Sequence, residues 1–158
     1  MGVTGVTRDT AARTMTLTAE WDAPPERAWR LWADPRRLER WWGPPDHPAT
    51  VTEHDLRPGG RVAYVVTGAD GGTLAGWWHV REVDPPRGLR FELGDPGIPP
   101  LDVAVRLAPR AGGGTTMTIT TTFPTDEAME QLALMGFAEG LSAAVGQVDA
   151  LLAAWEDG

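Results

Sequence analysis

No cysteine occurs in this chain. Disulfides, thiolate metal sites and cysteine nucleophiles are therefore excluded by composition alone. Lysine is missing as well, so all 14 basic residues are arginine. Acids outnumber bases 22 to 14, for a formal net charge of -8 at pH 7. A surface of that sign repels phosphate backbones and anionic lipid, which argues against nucleic acid and membrane partners. No apolar run approaches the ~20 residues of a bilayer span, and no basic start leads into a signal-type apolar segment. The expected location is the cytoplasm, with no membrane insertion. There is no Gly-x-Ser-x-Gly elbow and no dinucleotide fingerprint. The glycine-rich stretch "RAGGG" is not followed by a helix, so it reads as a hairpin connection and not as a phosphate cradle. No cofactor and no metal is expected.

What the chain does have is tryptophan. Eight are set against one tyrosine and three phenylalanines, and each buries about 150–250 Å² when it enters a core. Six of them cluster as Trp29/Trp32, Trp41/Trp42 and Trp77/Trp78. With 158 residues the chain makes one domain.

Residues 1–12 are small and polar without a period and read as a flexible terminus. Residues 13–158 read as a single domain. "TMTLTAEW" alternates as a half-buried strand, with Met15, Leu17, Ala19 and Trp21 on one face. Two short helices follow. Pro24 and Pro25 open the first; Asp34 caps the second, with Pro35 at its first position. From Ala49 to Phe123 six strand-like runs are separated by turn signals, which predicts an antiparallel meander. From Glu127 to Trp155 apolar residues recur every three or four positions, which predicts one long amphipathic helix. Gly136, Gly140 and Gly146 lie inside it and mark a bend or a close approach. The fold class is α+β: a seven-stranded curved antiparallel sheet around a long C-terminal helix.

Four segments carry a family resemblance: "APPERAWRLWADPRRLERWWGP", "DLRPGGRV", Gly76–Phe91 with its "HVREVDPPRGLRF", and "GFAEGLSAAVGQVDALL". In this order they resemble the START-like (SRPBCC, helix-grip) superfamily, in the branch related to the activator of heat-shock-protein-90 ATPase. The resemblance implies a deep apolar cavity between sheet and helix. It also implies partners among lipids, sterols or polyketides, and in some members cyclase or aromatase activity.

The residues of such a site follow from spacing. Trp41 and Trp42 point about 100° apart on a helix, so one enters the core and the other faces a pocket mouth. Trp77 and Trp78 point to opposite faces of a strand. The outward one needs cover, from a second copy in a homodimer or from a local loop. If Trp78 is inward, the cavity is mainly apolar; if Trp77 is inward, His79 and Arg81 line it. The expected ligand contacts are Trp32, Trp42, Tyr64, Trp78, Phe91, Val105, Leu132, Met135 and Phe137. The last three lie where the resembling fold caps its cavity entrance. Arg61, beside the Pro58-Gly59-Gly60 turn, is a further candidate for the entrance. His79, Tyr64 and Glu53 are the groups able to move protons. His47, His54 and a carboxylate do not match a recognised metal-ligand spacing. The functional expectation is binding or sequestration of an apolar small molecule, lipid- or polyketide-like. The alternatives are a polyketide cyclase or aromatase, and a module that regulates a chaperone or another protein partner.

Overall fold

A computed structural model of the chain describes residues 2–43, 49–68, 70–95 and 98–155. The alternating run forms β2 (Thr14–Trp21), with every second residue buried. Helix α1 (Pro25–Ala33) opens on a proline and buries Ala28, Leu31 and Trp32. Asp34 then caps α2 (Pro35–Trp41), its carboxylate accepting from the Arg36 amide at 2.9 Å. The meander follows as β3 (Ala49–His54), β4 (Arg61–Thr67), β5 (Thr73–Asp84), β6 (Gly88–Asp95), β7 (Ile98–Pro109) and β8 (Thr115–Thr122). All neighbouring strands pair antiparallel in one sheet which, with an N-terminal strand β1 (Gly2–Asp9), is ordered β1-β2-β8-β7-β6-β5-β4-β3. Among the described residues no helix is long and apolar enough to cross a membrane.

Two expectations are corrected. The first is the N-terminus, expected to be flexible over residues 1–12. It forms β1 (Gly2–Asp9), paired with β2 from Gly2↔Glu20 to Asp9↔Thr14, so the sheet has eight strands and not seven. The reason lies in the backbone. The free edge of β2 offers N–H and C=O groups that any extended segment can satisfy, whatever its side-chain period. The hairpin closes because Asp9 Oδ1 accepts from the Ala12 amide at 3.1 Å, with Arg13 in the left-handed region at φ 57°.

The second is the single C-terminal helix, which is three segments: α3 (Asp126–Leu134), α4 (Phe137–Val145) and α5 (Val148–Ala154). Thr125 caps α3, its hydroxyl accepting from the Ala128 amide at 3.0 Å. Gly136 breaks the run with φ 81°, a backbone state that side chains disfavour. The α4–α5 joint at Gly146 and Gln147 is a tightened turn. Gln147 Nε2 anchors it by donating to the carbonyls of Gly43 (2.8 Å), Trp41 (3.2 Å) and Ala144 (3.3 Å). The far end of α5 is held by Arg27, which donates to the Leu152 carbonyl at 2.8 Å and the Trp155 carbonyl at 3.3 Å.

The densest part of the core joins α1 and α2 to the middle of the sheet. Trp32, Trp41 and Trp78 are fully buried there. Trp78 stacks on Phe91 with centroids 4.1 Å apart, Trp42 meets Trp78 edge-on at 4.9 Å, and Trp32 meets Trp41 edge-on at 4.8 Å. Tyr64 meets Trp42 at 5.8 Å and lies across Gly76, which leaves it room.

Two stability predictions follow from these contacts. Trp42 is packed edge-on against four aromatic rings, so Trp42→Ala should cost about 3 kcal/mol in urea unfolding; a cost under about 1 kcal/mol would show that Trp42 does not help hold the cluster. Gly136→Ala should destabilise by about 1 kcal/mol, because alanine must adopt the left-handed state. Gly140→Ala should instead stabilise by about 0.5–1 kcal/mol, since it lies within α4 and an added Cβ meets nothing within 4 Å. Equal effects at the two glycines would refute the break at Gly136.

Candidate functional site

A cavity with a volume of about 570 Å³ lies at the end of the sheet where the β1–β2 hairpin meets α3 and α4. Its floor is apolar. Met15 enters from β2, Phe123 from the segment after β8, Met129 from α3 and Ala138 from α4, all of them buried. Phe137 closes one side, edge-on to Phe123 with centroids 5.8 Å apart. Arg8, Thr10 and Ala11 from the hairpin and Asp126, Glu130 and Ala133 from α3 make a half-open mouth. Asp126, Met129, Glu130 and Ala133 are spaced three or four apart, so one face of α3 looks into the cavity. The break at Gly136 is what frees α3 from the line of α4, with its start set by the Thr125 cap. Beside the mouth, Leu134 and Met135 stand in solvent at 85% and 64% exposure.

Of the expected ligand contacts, Phe137 lines this cavity. Trp32, Trp42, Tyr64, Trp78 and Phe91 are brought together in ring contact with one another, and none of them lines this cavity. Trp41 and Trp42 do divide into a fully buried and a half-buried ring, yet both join that one cluster. Val105 is buried in mid-sheet between Leu89 and Ile119, and Leu132 is buried on α3. Met135 points away into solvent.

The strand parity resolves to Trp78 inward. Trp77 is half-buried on the outer face, its indole laid against Gly94 of β6 where any side chain would collide with it. His79 and Arg81 therefore face outward, with Arg81 paired to Glu92 at 3.1 Å. Arg61 is exposed opposite His79, outside the cavity entrance. Glu53 is exposed beside the irregularity in β3, and Tyr64 is buried, so the three proton-transfer candidates occupy separate places. His54 Nε2 lies 3.0 Å from the Trp32 carbonyl and tethers β3 to α1. His47 lies outside the described residues.

Reading the sequence alone misses Arg8, Thr10 and Ala11, because the terminus has no side-chain period. It places Met15 on the apolar face of its strand without locating it relative to a cavity. The signal that was available is the set of small residues Ala11, Ala133 and Ala138, which leave space where larger side chains would fill it. Away from the cavity, Arg87 hydrogen-bonds Asp84 through two nitrogens at 2.8 and 2.9 Å across the β5–β6 turn. That hydrogen bonding holds the Asp84 carboxyl below the usual carboxylate range.

Comparison with known proteins agrees with this architecture. Residues 22–153 match the model of the family described as Activator of Hsp90 ATPase homolog 1-like protein. A crystal structure of a protein from Mycobacterium smegmatis is 44% identical with a TM-score of 0.87, over 95% of this chain and 96% of that one. A solution structure from Arthrobacter aurescens is 39% identical with a TM-score of 0.92, over 96% and 92%. A crystal structure from Rhodobacter sphaeroides is 25% identical with a TM-score of 0.86, over 95% and 98%. No curated protein matches the chain. The strand order, the two short helices before the meander and the C-terminal helical layer, together with a match over residues 22–153, place the chain in the Activator of Hsp90 ATPase homolog 1-like family, with the α+β helix-grip fold of the START-like superfamily.

Proposed function

We propose that the chain binds and sequesters an apolar small molecule, lipid- or polyketide-like, in the cavity between the β1–β2 hairpin, β8 and the α3–α4 pair. The observation that carries this reading is the cavity itself. Its volume of about 570 Å³ lies inside the range of about 300–1,000 Å³ typical of small-molecule sites. Its floor of Met15, Phe123 and Met129 with Phe137 at its side is apolar, and methionine adapts to irregular shapes. None of the three proton-transfer candidates read from the sequence lines this cavity, and the two carboxylates that do, Asp126 and Glu130, are exposed at its mouth and not on its apolar floor. An enzyme needs an acid or base within hydrogen-bond reach of its substrate. His79 and Glu53 stand in solvent off the concave face, and Tyr64 is packed under Trp42 and Trp78.

The test uses Ala133, which lines the cavity from a partly exposed position on α3. Organic extraction of the purified protein followed by mass spectrometry should recover a bound apolar compound. Decanol should raise the melting temperature of the wild-type protein. Ala133→Trp should fill the space and reduce both effects by about tenfold, while shifting the unliganded melting temperature by less than about 4 °C. Undiminished binding by Ala133→Trp would place the ligand elsewhere and overturn the reading.

A further inference from the structure

The charge distribution around this cavity narrows the ligand class, on the basis of the reading above. After Arg110 the chain has no basic residue, so the whole C-terminal helical layer is acidic or neutral. Two of its carboxylates, Asp126 and Glu130, lie one turn apart on the cavity-facing side of α3 and line the mouth. Neither is in an ion pair among the described residues. Arg8 is the single cation on the mouth, and it also lies beside Glu139 in the adjoining groove. Among the described residues lining the cavity and that groove, three carboxylates (Asp126, Glu130 and Glu139) stand against one guanidinium. The opening keeps a negative potential above an apolar floor.

We infer that the cavity takes an amphipathic cation: an apolar amine whose ammonium sits at the mouth between Asp126 and Glu130, with its hydrocarbon body over Met15 and Met129. The cavity is the site, and the two carboxylates decide its charge preference. Exposed ion pairs are individually weak, so the preference is a ratio and not an absolute requirement.

The experiment titrates decylamine, decanol and decanoate, matched in chain length and kept below micellar concentration, into the wild-type protein by calorimetry. Decylamine should bind about fivefold more tightly than decanol, and decanoate more weakly than decanol. The amine-to-alcohol ratio should fall toward one as salt rises from about 20 to 300 mM. The same ratio should fall toward one in the double variant Asp126→Asn/Glu130→Gln at low salt, with decanol affinity kept. In Arg8→Gln it should rise. Circular dichroism checks that each variant is folded. Equal binding of amine and alcohol, or tighter binding of decanoate, would overturn the cation preference and leave the apolar cavity standing. Binding of none of the three probes would overturn the cavity reading along with it.

Discussion

Trp32 is in ring contact with Trp41, Trp42, Trp78 and Phe91, and through these contacts α1 and α2 are fastened to the centre of the sheet. The cluster has a cost. The indole nitrogens of Trp32 and Trp78 are buried without a hydrogen-bond partner, as is that of Trp21 nearby in the core. Each such orphan costs about 1–3 kcal/mol. Burying a tryptophan removes about 150–250 Å² from water, which at about 25 cal/mol per Å² stabilises by about 4–6 kcal/mol. Burial therefore wins at each position, and edge-on and stacked ring contacts add to it. Trp41 avoids the penalty, since its indole donates to the Leu31 carbonyl at 3.0 Å.

The position of the cavity is the complement of this packing. Large rings pack against one another under β4, β5 and β6. The cavity end of the sheet is lined by methionine, alanine and two phenylalanines, Phe123 and Phe137, and α3 crosses it from a cap at Thr125 to the break at Gly136. A continuous helix would run α3 along the line of α4. The left-handed turn redirects it, leaving a wall that touches the floor through few side chains. The same turn leaves Leu134 and Met135 in solvent beside the mouth.

Charge is distributed by a similar division of labour. Five arginines sit on α1 and α2, and three of them tie these helices to other elements: Arg27 holds the end of α5, Arg36 donates to the Val51 carbonyl at 3.0 Å, and Arg37 lies over the Trp155 ring at 4.7 Å. The C-terminal helices receive the Arg27 and Arg37 contacts and carry carboxylates but no cation of their own. The helical layer is therefore anchored at α5 by cations from outside it, while α3 faces the cavity with its acids.

Local grammar was legible throughout the chain. Strict alternation in Thr14–Trp21, the proline-opened helices, the Asp34 cap and the meander each came from a side-chain period or a turn residue, and these depend on a few neighbours. The inward identity of Met15 and Phe91 was legible for the same reason, and so was the family, whose motifs lie in contiguous segments. Three things depended on partners distant in sequence. Strand β1 exists because β2 has an edge to fill, a backbone demand that leaves no mark on side chains. Trp32, Trp42, Tyr64, Trp78 and Phe91 could equally have lined a void or filled one. Ring-to-ring packing across α1, α2 and three strands set them against one another, away from the cavity beside the β1–β2 hairpin. The cavity mouth was decided by the same kind of long-range placement: Arg8 and Asp126 are separated by most of the chain, and only closure of the sheet and the turn at Gly136 sets them on one opening.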